Sequence, residues 1–497
     1  MKLLWGDLHN HCGITYGFGS LENALERARS HLDFCAVTGH AMWHDIYERN
    51  EDTDFIVDFH LDGFRRLADN WDTVRLKIAA ANSPELVTFQ GYEMHSSYYG
   101  DHHIISPDDA LPLIDSTGPA DLLGKVGCDA MMIAHHIGYS PGYRGIRWEE
   151  FDSSVTPNIE VVSKHGCAMR ETAPYPYYHT MGPRDGRNTV SKGLRMGHRF
   201  GFIGSTDHHA GYPGSYGDGK LAVWADEKTR RSIWKSLKER RVYAVTGDRI
   251  ECRFSVDDGE MGEIIQGEQE LRKIRYSVRA CYPIDKIIVY KNQQPIHIIN
   301  GEDLKHNKGK GKYKVRIETG WGFNWDVPYK WLNHVRVSDG RIISVEPCFR
   351  GSSILAPTES NISRITESVN DIDNRILSQN SDCVIWQCFT LANPAPFHST
   401  TCSVIIEIDG RDETVLEADI NGNKFISTLT ELCDNGYTNH VKPYVSNAFK
   451  VHPAIHESIY EVKREFSDKD GRPGDFYHME VSQKNGCWAF ITPVFFD

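Results

Sequence analysis

Histidine is the residue that could do chemistry in this chain. Sixteen of its 24 imidazoles precede residue 250, and they fall in tight groups: His9 and His11, His40 and His44, His102 and His103, His135 and His136, His208 and His209. Each imidazole carries a donor and an acceptor that need partners, so an apolar core does not account for the grouping. Carboxylates stand among them at Asp7, Glu93, Glu160 and Asp207. Imidazole and carboxylate are the ligands preferred by zinc, manganese and iron, and an HxH pair closing a strand turns both rings to one side because side chains alternate with period two. Two cations held by such a set would activate a water, and the chemistry that follows is hydrolysis.

The elements that must position these groups can be read around them. Apolar and β-branched runs predict strands near residues 3–8, 34–38, 86–92, 103–106, 130–134, 158–162 and 200–204. His9 and His11 follow the first, His40 the second and Glu93 the third; His103 begins the fourth, His135 closes the fifth, Glu160 lies in the sixth, and Asp207 with His209 follows the seventh. Helices are expected over residues 20–31, where Ser20 is a cap, and over 227–241, which start acidic and end basic as the helix dipole prefers. The βαβα order predicts an α/β fold with a mostly parallel sheet, whose strand ends converge on one face.

After Asp248 the texture changes to alternating segments such as RKIRYSVRA and KYKVRIET with NG and DG turns between them. This predicts an antiparallel β-sandwich over residues 251–497, following a chemistry-bearing unit over 1–250, with a polar insertion near 350–380 that is a helical excursion or a long loop. A length of 497 residues suits two to four domains.

A net charge of −13 opposes general attraction to nucleic acid or anionic lipid, so an anionic small-molecule substrate would need a local positive site. Residues 140–200 offer one, with nine Lys or Arg against six acidic residues. Arg170 and Lys164 follow the Glu160 strand and are expected to face the site as oxyanion clamps, and His102 is a further substrate-binding candidate. Asp7 is expected either to orient a ligating imidazole or to cap a turn. Glu160 could be a ligand, a general base or a buried structural carboxylate. The twelve cysteines form no CxxC pair, and the opening MKLLWGDLHNHC has no full apolar core or cleavage site, which together predict reduced thiols and a cytoplasmic location. The sequence leaves a homo-oligomer open and gives no sign of a membrane partner.

GDLHNHC at the start, AVTGHA around His40, GYEMH around Glu93, MIAHH around His135 and GSTDHHA around Asp207 resemble, in order and spacing, the motifs of the PHP (polymerase and histidinol phosphatase) family of metallohydrolases. The resemblance covers roughly residues 1–250 and is nearest to a branch in which a β-domain follows. It implies a distorted (β/α)7 barrel with two or three divalent metal ions, Zn2+, Mn2+ or Fe2+. It implies that His9, His11, Glu93 and Asp207 hold one ion and that Glu93 bridges to a second completed by His103 and His135. His40 and His209 would belong to a third. Gly17 and Gly39 stand where the family places polar residues, so the third position is short of a donor unless His44 or Asp45 supplies one. Asp207, His209 and Glu160 are the catalytic candidates. A phosphoesterase on a small organic phosphate is the first expectation. An amide or lactone hydrolase on the same site is the second, and a nucleic-acid-processing or non-catalytic metal-binding module the third.

Overall fold

The computed structural model describes residues 1–497 apart from 176, 178–180, 323, 325–326, 353–367, 393–400 and 445. About half of the 350–380 insertion, residues 353–367, therefore lies outside the described residues; in the rest, Ser368–Asp371 forms a short 3-10 turn and Arg375–Gln379 an edge strand of the C-terminal sheets, where the sequence predicts a helical excursion or a long loop.

The fold is mixed α/β, dominated by sheet. In chain order the N-terminal half comprises β1 (Lys2–Asp7), α1 (Leu21–His31), β2 (Phe34–Ala36), β3 (Gly39–Trp43), α2 (Asp54–Ala81), β4 (Val87–His95), β5 (His102–Ser106), α3 (Pro119–Lys125), β6 (Met131–Ala134), β7 (Asn158–Ser163), β8 (Gly166–Cys167), α4 (Val190–Arg195), β9 (Gly201–Gly204), β10 (Lys220–Ala225), α5 (Arg230–Lys238) and β11 (Val242–Val245). Ser20 caps α1, its hydroxyl accepting from the Asn23 N–H at 3.2 Å, and Leu21, Ala24, Leu25 and Ala28 form the buried face. Thr229 caps α5 in the same way. The long α2 buries Val57, Phe64, Leu67, Trp71, Val74 and Ile78 at helical spacing against β3 and β4, fixing the strands that carry His40 and Glu93. It is 28 residues long but charged, and no described helix is long and apolar enough to cross a membrane.

The pairing is only partly parallel. β1 with β2, β2 with β4, β3 with β4, β6 with β7 and β7 with β9 run parallel; β5 runs antiparallel to both its neighbours, and β10 to β1. The sheet curls until β9 lies against β10 and β11, so tightly that a Cβ on Gly204 would stand 2.8 Å from the Lys220 carbonyl oxygen. Inside the curl Leu4, Phe34, Phe89, Ile133, Ile203 and Val223 pack into one apolar cluster.

The sheet does not stop at residue 250. β11 pairs antiparallel with Trp488–Phe496, Tyr243 standing opposite Ile491, and the ladder continues through Phe476–Gln483 to Ile284–Lys291 and the edge strand Gln294–Asn300. Between these segments, residues 311–456 form two antiparallel sheets packed face to face around Tyr313, Val315, Trp331, Val335, Trp386 and Val404. The twelve cysteines are all free.

Candidate metal centre

Strand register builds the site. In the β3/β4 ladder His40 stands opposite Glu93, and in the β4/β5 ladder Glu93 stands opposite His103, so three distant residues share one row. The loop after β1 brings His9 and His11 to it, the end of β6 brings His135, and the turn after β9 brings Asp207 and His209. Asp207 and His136 both hold left-handed backbone, with φ of 49° and 56°. Non-glycine residues in that conformation concentrate where a side chain must be aimed.

The eight residues that the sequence proposes as ligands all line this buried cup. Asp207 is its hub: Oδ1 lies 2.9 Å from His11 Nε2 and 3.3 Å from His9 Nε2, and Oδ2 lies 2.6 Å from His165 Nε2 and 3.5 Å from His135 Nε2. His40 Nδ1 is 2.7 Å and His11 Nε2 3.6 Å from Glu93 Oε2. The His9 ring packs 4.4 Å from those of His103 and His135, centroid to centroid. Ligand atoms fall within 4.8 Å of one another in several sets, among them His135, His136, His165 and Asp207; His9, His11 and Asp207; His9, Glu93 and His135; and His11, His40 and His209.

The donor set fits divalent cations. His103 is wholly buried, yet neither ring nitrogen has a hydrogen-bond partner among the described residues, and Glu160 Oε2 is also without one. Natural cores do not leave such atoms idle without cause. Burial pushes His11 down to about 3 and holds His40, His103 and His209 well below the ordinary imidazole value, so their lone pairs are free to coordinate. Burial alone would raise Asp207, but the imidazoles of His209, His11, His135 and His165 hold it well below the carboxylate range. His135 moves the other way: burial is outweighed by Glu160 and Asp207 on either side of its ring.

Several residues act differently from expectation. Asp7 does not touch an imidazole. It is buried, its carboxylate accepts from the backbone N–H groups of His9, Thr206 and Gly214 and from the Thr206 hydroxyl, and burial raises it to about 6. It therefore ties the two ligand-bearing loops together. The orienting carboxylate is Asp101, which the sequence reading missed: Oδ2 lies 2.9 Å from His95 Nδ1 and 3.0 Å from His136 Nδ1, and the Arg144 guanidinium neutralises it. Glu160 Oε1 fixes His135 through its Nδ1 at 2.6 Å. His102 faces away from His103 across β5, bonds the Gly100 carbonyl and lines a separate pocket with Tyr99 and Arg147. His44 is exposed and Asp45 accepts from Ser96, Ser97 and Tyr98; the neighbour of His40 is instead His95, 3.0 Å away. Arg170 does not reach the cup either. β8 turns the chain back, and the guanidinium grips the buried Glu480 carboxylate with both terminal nitrogens. Lys164 does border the cup: its N–H bonds the Thr206 carbonyl, and its charge helps keep His209 neutral.

His95, His136 and His165 are the site imidazoles that sequence reasoning missed. His95 and His136 had a usable signal, since they stand two residues after Glu93 and next to His135. His165 had none, because it lies in the β7–β8 turn with no motif around it.

Over residues 216–269 the chain matches the model of DUF3604, a family of unknown function. It is 26% identical over 169 residues to an uncharacterized protein of Chlamydia muridarum and 27% identical over 169 residues to one of Chlamydia trachomatis serovar D, each match covering 31% of this chain and 27% of the relative. A third, from Chlamydia pneumoniae, is 30% identical over 129 residues, 24% of this chain and 21% of that protein. The chain thus spans about a quarter of the curated relatives it matches. Among solved structures, a two-domain protein containing a predicted PHP-like metal-dependent phosphoesterase from Bacteroides vulgatus is similar over 58% of this chain and 79% of its own, at 16% identity and a TM-score of 0.33.

Proposed function

We propose that the chain is a metal-dependent hydrolase whose site is the histidine cup of residues 1–250, with the curled sheet read as a distorted (β/α)7 barrel, and that its substrate is a small organic phosphate ester. The observation that carries the reading is the cup itself: buried imidazoles gathered round Asp207, Glu93 and Glu160, with both nitrogens of His103 unused. We assign two divalent transition-metal ions to it. His9, His11, Glu93 and Asp207 would hold one and His103 with His135 the other, and His136 and His165 stand ready on the far side of Asp207. Bound there, such ions would supply Lewis acidity and a water acidic enough to attack near neutral pH.

The remaining work falls to the protein. Asp101, clamped by Arg144, and Glu160 fix the rings of His95, His136 and His135, so the donors need no rearrangement as charge develops. His209 Nδ1 donates to the Asp207 carbonyl at 2.9 Å, which leaves the Nε2 lone pair to carry a proton between water and leaving group. Lys164, which lines the cleft next to the cup, is the cationic candidate for meeting the anionic substrate.

The commitment of Arg144 to Asp101 favours a second reading, hydrolysis of an amide or lactone, because the guanidinium that borders the cup already has its counter-charge, and Arg170, expected as a clamp, is held by Glu480. Elemental analysis of the purified chain and a panel of phosphoesters, lactones and amides test both. About two ions per chain and turnover of a phosphoester inhibited competitively by inorganic phosphate are expected. Lactone or amide turnover indifferent to phosphate would move the assignment to the second reading, and the absence of stoichiometric metal would refute both.

A further inference from the structure

A cleft of about 390 Å³ opens between the N-terminal half and the face-to-face sheets, beside the histidine cup. Lys164 and Tyr216 line it from the first half, and Arg316, Glu318, Arg350 and His452 from the second. Lys164 immediately precedes His165, whose ring bonds Asp207, so one short segment borders both the cleft and the cup.

The cations of the cleft are not equivalent. Arg316 is neutralised by the buried Asp248 and also bonds the Tyr216 hydroxyl and Ser403. His452 Nε2 lies 2.8 Å from Glu318 Oε2, which spends that pair on itself. Arg350 is different. Its guanidinium lies over the Tyr216 ring, 4.7 Å from the centroid, its Nε is buried without a hydrogen bond, and it has no carboxylate partner among the described residues. A planar fork held over an aromatic ring and lacking a carboxylate partner among the described residues is preorganised for an oxyanion, since carboxylate and phosphate both match its paired N–H groups.

We infer that the cleft binds an acidic group of the substrate, a carboxylate or a phosphate distinct from the bond being cleaved, and that Arg350 of the C-terminal half selects it. The inference rests on the hydrolase reading for the word substrate, and on the cleft alone for the anion. It gives the second half of the chain a task, recognition of a small organic acid whose scissile bond reaches the cup past Lys164.

The test is calorimetric titration of the chelator-treated full chain with inorganic phosphate and, separately, with malonate. The wild type should bind at least one, and the tighter of the two identifies the acidic group. Arg350→Gln, which keeps the stem on Tyr216, should weaken binding at least tenfold, Arg350→Met should do the same, and Arg350→Lys, which keeps the charge but loses the paired N–H fork, should also weaken it, though by less. His103→Leu should leave anion binding unchanged while it loses metal, so a failure of the cleft and a failure of the cup are read separately. Wild-type affinity in a folded Arg350→Gln or Arg350→Met, or no binding of either anion by the wild type, would overturn the inference.

Discussion

Replacing His103 by Leu should stabilise the metal-free protein and weaken the metal-loaded one, a reversal of sign that only a ligand role explains. The imidazole is wholly buried, and both nitrogens lack hydrogen bonds. A buried polar atom left unmade costs about 1–3 kcal/mol, and Leu has similar bulk without the polar atoms, so the chelated variant should gain stability on the order of 1–3 kcal/mol. For a unit the size of the N-terminal half this is a rise in Tm of roughly 2–6 °C. With metal present the balance changes, because a bound ion stabilises the fold in proportion to the logarithm of its saturation. A hundredfold loss of affinity removes about 2.7 kcal/mol. Paired thermal melts, with chelator and with excess Zn2+ or Mn2+, read both effects on the same two proteins. If His103→Leu destabilises the chelated and the loaded protein alike and leaves metal content unchanged, His103 is a packing residue and the donor set has been misassigned.

Asp207→Asn keeps the shape of the hub but removes the charge shared by His9, His11, His135 and His165, and should lower kcat/KM at least 100-fold, about 2.7 kcal/mol, with the far-UV spectrum unchanged. Arg170→Gln should leave kcat/KM within about threefold yet cost roughly 1–3 kcal/mol of stability by stranding the buried Glu480, which denaturant melts would detect. Lys164→Met should raise KM for an anionic substrate about tenfold with a smaller change in kcat, and should weaken inhibition by phosphate in steady-state assays. Asp248, where burial is outweighed by Arg316, Tyr216 and Asn485, is held at about 2. Its folded value lies below the unfolded one, so its contribution of about 2–3 kcal/mol is complete above pH 5 and disappears as the pH falls toward 2. Asp248→Asn should flatten the wild-type stability profile across that window.

The parts of the site that the sequence revealed are those in which a ligand sits within a strand or directly after one. HxH after β1, Glu93 in β4 and the pair at the end of β6 are local patterns, and the ladders then align them. His165 and Asp101 were illegible because their role depends on where a turn folds back, which no nearby residue encodes. Arg170 misled for the same reason: the strand-end rule assumes the chain continues forward, whereas β8 reverses it. β5 was found as a strand, but its antiparallel direction follows from the short loop after β4, a connection better suited to a hairpin than to a crossover. The pairing of residue 243 with residue 491 joins segments too far apart for any local pattern to announce.

That pairing sets a timetable for synthesis. β11 offers its free edge to Trp488–Phe496, and Ala244, Phe490 and Phe495 share one apolar cluster with the interior of the first half. Roughly 240 residues separate the partners, so at 5–20 residues per second the ribosome leaves that edge open for about 12–50 s. Throughout this interval the nascent histidine-bearing half carries an uncapped strand able to pair with a neighbouring chain on the same message. Separating the two halves at residue 250 would make the delay permanent, and the excised first half should be recovered as aggregate unless residues 488–496 are supplied in trans.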